Sequence, residues 1–300
     1  MTQIQVQAVL YRNDPEELKH ALWSTDRAAE QTGEAEVSLL WGDATEKPLF
    51  TEQTWKALQQ YSPHLKKAEY RFFGENTGYG RGNNLLARES AADYLLIMNP
   101  EIILSPEAIK YLLLPFEDEK VGLAEARQIP VEHPKEYDRG SCETEWSSGA
   151  CFMISHRLFD ELGGFDSDTF FMYCEDVDIS WRIRLSGYKL YYQPLAGVFH
   201  ARRFSGNNGK SVLSETERKY SVLSEALLAY KWSRPEYARE RIRLAVERND
   251  SGSHEALEAF QRLEQTGKLP AFLDPEHQIA HITQFSEDGG MLFAPNRYDI

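Results

Sequence analysis

The chain has 300 residues, 42% hydrophobic and 27% charged, the balance of an ordinary globular protein long enough to bury a sizeable core. A formal net charge of −14 argues against nucleic acid as a partner and against whole-protein attraction to an anionic membrane. No window approaches 18 uninterrupted apolar residues, and no basic region precedes a long apolar run near the start, so neither a transmembrane span nor a signal peptide is expected.

Residues 3–11 alternate polar and apolar and then turn apolar, the pattern of a first strand entering a core. Asn13, Asp14 and Pro15 form a turn and helix cap, with an apolar face following to about Glu30. A second short strand covers residues 37–41 and ends in the loop 42–45, which holds Asp43. A helix is expected over 51–61 and a third strand over 69–73. The glycine-rich stretch GENTGYGRGNN (74–84) reads as a strand-to-helix turn before the helix-like LLARESAA. It fits neither the dinucleotide fingerprint nor a P-loop. Residues 94–98 form a fully apolar strand that runs into Asn99, Pro100 and Glu101.

Alternation of strands and helices, with fully apolar strands, predicts an open and mostly parallel α/β sheet. Ligands of such sheets bind at the carboxyl ends of the strands, where Asp43, Asn76, Asn99 and Glu101 fall on this reading. Further along, a helix is expected over 105–114, a strand over 121–126 and a polar loop over 128–144. A turn at Trp146 to Gly149 leads into an apolar element, and a short helix covers 156–162. Residues 180–186 read as a helix, with strand-like segments at 188–193 and 198–200. One or two helices, broken at Pro235, cover 214–248 and another covers 250–270, whereas 271–300 show no interpretable pattern.

The stretch from Gly163 to His200 carries the densest chemistry. Glu175, Asp176 and Asp178 follow the aromatic run Phe170, Phe171 and Tyr173. A carboxylate desolvated by such a wall acquires a raised pKa suited to general-base work, while the same residues also suit a solvated first helical turn. Asn99 and Glu101, two residues apart on extended chain, can present oxygen ligands for Mg²⁺ or Mn²⁺ with substrate phosphates, and a strand exit reads equally well there. Residues 201–248 hold 11 Lys or Arg against 6 Glu, which fits a mixed-charge helical face better than an anion-binding surface. Cys142, Cys151 and Cys174 show neither metal spacing nor a paired framework and point to a reducing compartment.

In this order, the segments 74–84, ADYLLIMNPE (92–101), WSSGACFMISHRLFDELGGFD (146–166) and FFMYCEDVDISWRIRLSGYKLYYQPLAGVFH (170–200) resemble the family 2 glycosyltransferases, closest to their rhamnosyltransferase-like branch. The resemblance covers about 1–205 and implies a GT-A nucleotide-diphospho-sugar transferase fold, with residues 206–300 as a mostly helical C-terminal extension. It implies an inverting enzyme of cell-surface polysaccharide synthesis. Such an enzyme moves a sugar such as rhamnose from dTDP-rhamnose to a hydroxyl of a glycan or lipid-linked acceptor. By this resemblance Asp176 is the catalytic base, and Asn99, Glu101 and His200 hold the divalent cation. Asp43, Asn76, Gly78, Gly80, Asn83 and Asn99 bind the donor, and Trp146, Gly149 and Glu175 lie on the acceptor side. Two departures stand out: Glu101 replaces the usual Asp, and 41–45 read Trp-Gly-Asp-Ala-Thr where Asp-Asn-x-Ser is usual. They keep open a rival reading, a non-catalytic GT-A-fold protein that binds a glycan or a partner chain. The expected setting is cytoplasmic, with the C-terminal helices shaping the acceptor site, pairing two copies or touching the inner face of the membrane.

Overall fold

The computed structural model describes residues 1–133, 135–200 and 213–282, together with the backbone of a two-stranded pair, Gln284–Phe285 with Met291–Leu292. The expected boundary at 205/206 and the first part of the basic stretch 201–248 lie outside the described residues.

The N-terminal half is built of parallel units. Strands β1 (Gln3–Leu10), β2 (Glu36–Asp43), β3 (Lys67–Phe72) and β4 (Tyr94–Met98) lie parallel. They alternate with helices α1 (Pro15–Glu30), α2 (Glu52–Gln59) and α3 (Gly78–Ala87). Asp14 caps α1 by accepting from the Glu16 amide, and Pro15 occupies the first helical turn, where its missing N–H is harmless.

The second half adds β5 (Ile102–Leu104), β6 (Val121–Ile129), β7 (Cys151–Ser155) and β8 (Lys189–His200) to the same sheet, with strand order β3-β2-β1-β4-β7-β6-β8-β5. β7 runs antiparallel to β4 and β6, and β5 antiparallel to β8, so six strands point one way and two the other. Helices α4 (Ala108–Leu113), α5 (His156–Glu161) and α6 (Glu175–Leu185) complete this part. The sheet is mixed and mostly parallel, as the sequence predicts.

β8 is one strand where two segments are expected. Its pairing with β6 jumps from Gln193 opposite Ala126 to Gly197 opposite Arg127. Pro194, which cannot donate to the ladder, sits in that irregularity. The strand thereby reaches on to His200 at the carboxyl edge of the sheet.

Three helices follow: α7 (Glu215–Lys231), α8 (Pro235–Val246) and α9 (Ser251–Gln265). They do not stand apart from the sheet domain. Trp146, Phe170, Cys174, Val177 and Trp181 share one apolar cluster with Val222, Leu228, Trp232, Ile242 and Phe260. Their basic residues are largely paired in place, as in Arg241 with Glu225 (2.6 Å), Lys219 with Glu255 (3.0 Å) and Arg239 with Glu264 (3.2 Å). That is the mixed-charge face. Among the described residues no helix is long and apolar enough to cross a membrane, and all three cysteines are free.

Candidate active site

α6 begins five residues earlier than expected, at Glu175, so the acidic cluster forms its first turn. The two residues before it, Tyr173 and Cys174, both adopt left-handed backbone (φ 73° and 66°). Neither is glycine, and each such residue costs roughly 1–3 kcal/mol unless its surroundings fix it. They are fixed here: Cys174 is buried, and the Met172 carbonyl accepts from Ser224 Oγ at 2.8 Å. The sharp entry aims the first turn of α6 at the segment Ser147–Gly149.

Asp176 is half-buried there. Its Oδ2 accepts the Gly149 N–H at 2.7 Å and its Oδ1 the Val177 N–H at 2.8 Å. Burial pushes its carboxyl above the ordinary aspartate range, against the lowering effect of these amides. An added Cβ on Gly149 would lie 3.2 Å from Asp176 Cβ, a tight approach that glycine leaves free. Its carbonyl accepts from Tyr79 Oη at 2.6 Å.

Glu175 is buried, and its Oε2 has no hydrogen-bond partner among the described residues. Burial, reinforced by the neighbouring Asp176 charge, pushes its carboxyl up to about 8. The folded state therefore binds a proton that the unfolded chain releases at the ordinary glutamate pKa, so the contribution of Glu175 to stability is greatest at low pH and falls as pH rises through this window. Glu175→Gln is expected to flatten that fall. Its melting temperature should change less than the wild-type value between about pH 5 and pH 8.5, and equal slopes would show that Glu175 is ionised in the fold.

A second cluster lies at the ends of β4 and β8. The Asn99 N–H donates to the Ala150 carbonyl at 2.8 Å, and the Ile102 N–H to the Asn99 carbonyl at 3.1 Å, which closes a tight turn around Glu101. His200 Nε2 sits 3.0 Å from Glu101 Oε1 and 3.5 Å from Asn99 Nδ2. His200 Nδ1 meets Gln128 Oε1 at 3.0 Å. The imidazole thus bridges the Gln128 amide and the Glu101 carboxylate. Burial opposes ionisation of Glu101, and the His200 contact outweighs it, holding its carboxyl below the usual range. A carboxylate, an imidazole and an amide make a donor set that fits Mg²⁺ or Mn²⁺ with phosphate oxygens completing the shell. No group of three or more His, Cys, Asp or Glu side chains placed to hold a metal ion is found among the described residues, so the Asn99 amide matters to the set.

The two clusters are neighbours. Gly149 touches Asp176, and Ala150, the next residue, touches Asn99.

Other expected contacts are not where the sequence put them. The glycine stretch is not an open loop, because α3 starts at Gly78 and includes Gly80 and Gly82. The Gly78 N–H donates to the side chain of Asn76, itself exposed, and an added Cβ on Gly78 would meet the Phe171 carbonyl at 2.3 Å. At Gly80 the same atom would lie 3.1 Å from Phe165 Cβ, and at Gly82 2.6 Å from Val9 Cγ2. These glycines let α3 press against β1 and the aromatic turn. Asn83 is fully buried and binds Gln7 Nε2 through Oδ1 (3.0 Å), so it faces the sheet rather than a donor. Asp43 is also fully buried, and its carboxylate accepts from the Thr45 N–H (2.9 Å), the Thr45 hydroxyl (2.5 Å), the Leu49 N–H (2.8 Å) and the Tyr70 hydroxyl. It organises its own loop and has no free lone pair to offer a nucleobase. Trp146 lies buried between His133 (rings 5.3 Å apart) and the Lys135 ammonium, 5.4 Å from its ring centre, so it is a packing residue.

Tyr79, Gln128, Glu125 and Lys135 escape sequence reading. Nothing in the sequence pairs a helix tyrosine with Gly149 seventy residues on, or a lysine of the polar 128–144 stretch with a strand glutamate.

A mixed, mostly parallel sheet in this strand order, flanked by helices, is the GT-A fold. Its likeness to solved structures agrees. A mannosyltransferase from Pyrobaculum calidifontis, solved with GDP-Man and Mn²⁺, superposes with a TM-score of 0.55 at 15% identity over 88% of this chain and 82% of that one. GalNAc-T7, solved with UDP, GalNAc and Mn²⁺, gives 0.61 at 14% identity over 92% of this chain and 57% of that one. Residues 51–180 match the Glycosyl transferase family 2 model. Rhamnosyltransferase WbbL of Escherichia coli (strain K12) is 28% identical over 198 residues, 54% of this chain and 73% of that protein. An N-acetylglucosaminyl-diphospho-decaprenol L-rhamnosyltransferase of Mycobacterium tuberculosis is 40% identical over 60 residues, 20% of this chain and 19% of that protein. The chain thus carries a family 2 glycosyltransferase match over 51–180 and is similar to rhamnosyltransferases.

Proposed function

We propose that the protein transfers rhamnose from dTDP-rhamnose, with inversion, to a hydroxyl of a lipid-diphosphate-linked glycan during cell-surface polysaccharide synthesis. The observation that carries the reading is the adjacency of Gly149 and Ala150, which brings the half-buried carboxylate of Asp176 beside the Asn99, Glu101 and His200 cluster. Rhamnose and a lipid-linked acceptor are inferred from the activities named for the two relatives.

Asp176 takes the proton of the acceptor hydroxyl as its oxygen forms a bond to the anomeric carbon. The bond from that carbon to the diphosphate oxygen breaks on the opposite face, and its electron pair leaves with the nucleotide. The raised carboxyl makes Asp176 a stronger base than a solvated aspartate, and the Gly149 N–H keeps it oriented. Asn99, Glu101 and His200 would hold a divalent cation, whose chemistry is to neutralise charge on the departing diphosphate. Gln128 fixes the imidazole so that Nε2 faces that position.

A thermal-shift panel of UDP, dTDP, GDP and CDP, each with and without Mn²⁺, tests the donor. dTDP with Mn²⁺ is expected to raise the melting temperature most, since ligand at 100 times its dissociation constant adds about 2.7 kcal/mol. A larger shift with another nucleotide would replace the donor class. No shift with any of them would overturn the reading. Turnover of dTDP-rhamnose with an N-acetylglucosaminyl-diphospho-polyprenol acceptor then tests the transfer itself.

A further inference from the structure

Three consecutive backbone amides beside the base each donate to a side chain from a different direction. The Ser147 N–H donates to Ser180 Oγ (2.9 Å), the Ser148 N–H to Glu125 Oε1 (3.0 Å) and the Gly149 N–H to Asp176 Oδ2 (2.7 Å). Ser180 in turn donates to the Asp176 carbonyl at 2.6 Å, so the first tie belongs to α6 itself. Glu125 is different. It comes from β6 and is buried, and its other oxygen binds the buried Lys135 ammonium at 2.5 Å.

Lys135 also donates to Thr144 Oγ1 at 3.1 Å and lies over the rings of Trp146 (5.4 Å) and Tyr192 (5.8 Å). A buried ion pair rarely stabilises a fold more than apolar residues of the same shape. This one spends a carboxylate oxygen on the amide next to the one that orients the base. Burial pushes the Glu125 carboxyl up, and Lys135 opposes that rise.

We propose that Glu125 is a positioning residue for glycosyl transfer: it holds Ser148 and so sets the Gly149 N–H that aims Asp176, with Lys135 as its counter-charge. The proposal rests on Asp176 being the base. A merely structural ion pair and a positioning acceptor demand different things of this site. The pair needs opposite charges, whereas the acceptor needs an oxygen at the reach of Ser148.

Two variants separate them, assayed with dTDP-rhamnose and the lipid-linked acceptor named above. Glu125→Asp keeps the charge opposite Lys135 but is one methylene too short for the Ser148 N–H. Glu125→Gln with Lys135→Met keeps the oxygen and removes both charges. Positioning predicts that Glu125→Asp loses at least tenfold in kcat, with KM for the donor within about twofold, while the double variant keeps kcat within about threefold of wild type. Wild-type kcat in Glu125→Asp would overturn the proposal, as would an equal loss in a folded double variant. If the double variant does not fold, the kcat and KM split in Glu125→Asp decides alone. Asp176→Asn is run alongside. An active Asp176→Asn would remove the base reading itself, whereas an inactive one beside a fully active Glu125→Asp would remove only the role given to Glu125.

Discussion

Asp176→Asn is expected to lower kcat by ~10²–10⁴-fold, the usual contribution of a positioned general base, while KM for the nucleotide-sugar and the melting temperature stay near their wild-type values. Asparagine has almost the same shape, and its amide oxygen can still accept the Gly149 N–H now 2.7 Å from Oδ2. What it cannot do is take a proton. The wild-type rate should also carry an acid limb above the ordinary aspartate range, because burial raises this carboxyl and only the ionised form acts as a base. That limb should vanish with the substitution. A kcat within tenfold of wild type would take the base role away from Asp176.

The acidic triplet also shows where sequence reading stops. Glu175, Asp176 and Asp178 look alike as letters, and a helix turns ~100° per residue, so neighbours face different surroundings. Glu175 is buried with its Oε2 unpartnered among the described residues, Asp176 meets the Gly149 N–H, and Asp178 meets cations from the same helix and from α7. Position on the chain placed all three at a helix start and could not distribute those roles.

The parallel strands were legible for a physical reason: both faces are covered, so they read as apolar runs bounded by turn residues. The glycine stretch misled because glycine serves two ends. It frees a loop, and it also lets a helix approach closely; the contacts of Gly80 and Gly82 with Phe165 and Val9 are of the second kind. The grouping of Asn99, Glu101 and His200 was legible only in part. Asn99 and Glu101 stand two residues apart, whereas His200 joins them through a sheet order that places β8 beside β5. Gln128 and the Lys135 to Glu125 pair depend wholly on packing at long range.

Asp178→Ala is expected to be the most destabilising single change of the site region, by about 3–5 kcal/mol, the usual cost of removing one partner from a buried ion pair. The side chain is fully buried and takes three bonds: Arg182 Nε at 2.8 Å, Lys231 Nζ at 2.7 Å and Trp232 Nε1 at 3.1 Å. Lys231 and Trp232 end α7, so this one carboxylate ties the base-bearing helix to the C-terminal helices. Asp166 shares the lysine at 2.7 Å. Burial pushes the Asp166 carboxyl up, and Lys231 more than offsets this, holding it below the usual range. After substitution Asp166 alone would face the buried ammonium, and the Trp232 N–H would lose its acceptor. With an unfolding entropy of ~2.1 cal/mol/K per residue, that loss is a drop of roughly 5–8 °C in melting temperature. Asp178→Asn should fall between, because it keeps an acceptor for Trp232 and removes the charge. The edge packing of Trp181 on Trp232, 5.3 Å between rings, lies beside this contact. Asp178→Ala should therefore loosen the turn that aims Asp176 and lower kcat together with stability, whereas Asp176→Asn lowers kcat alone. Urea denaturation of both variants beside their turnover checks the pair. A loss below about 1 kcal/mol in Asp178→Ala would mean that the apolar cluster, rather than this carboxylate, holds the helices on the sheet domain.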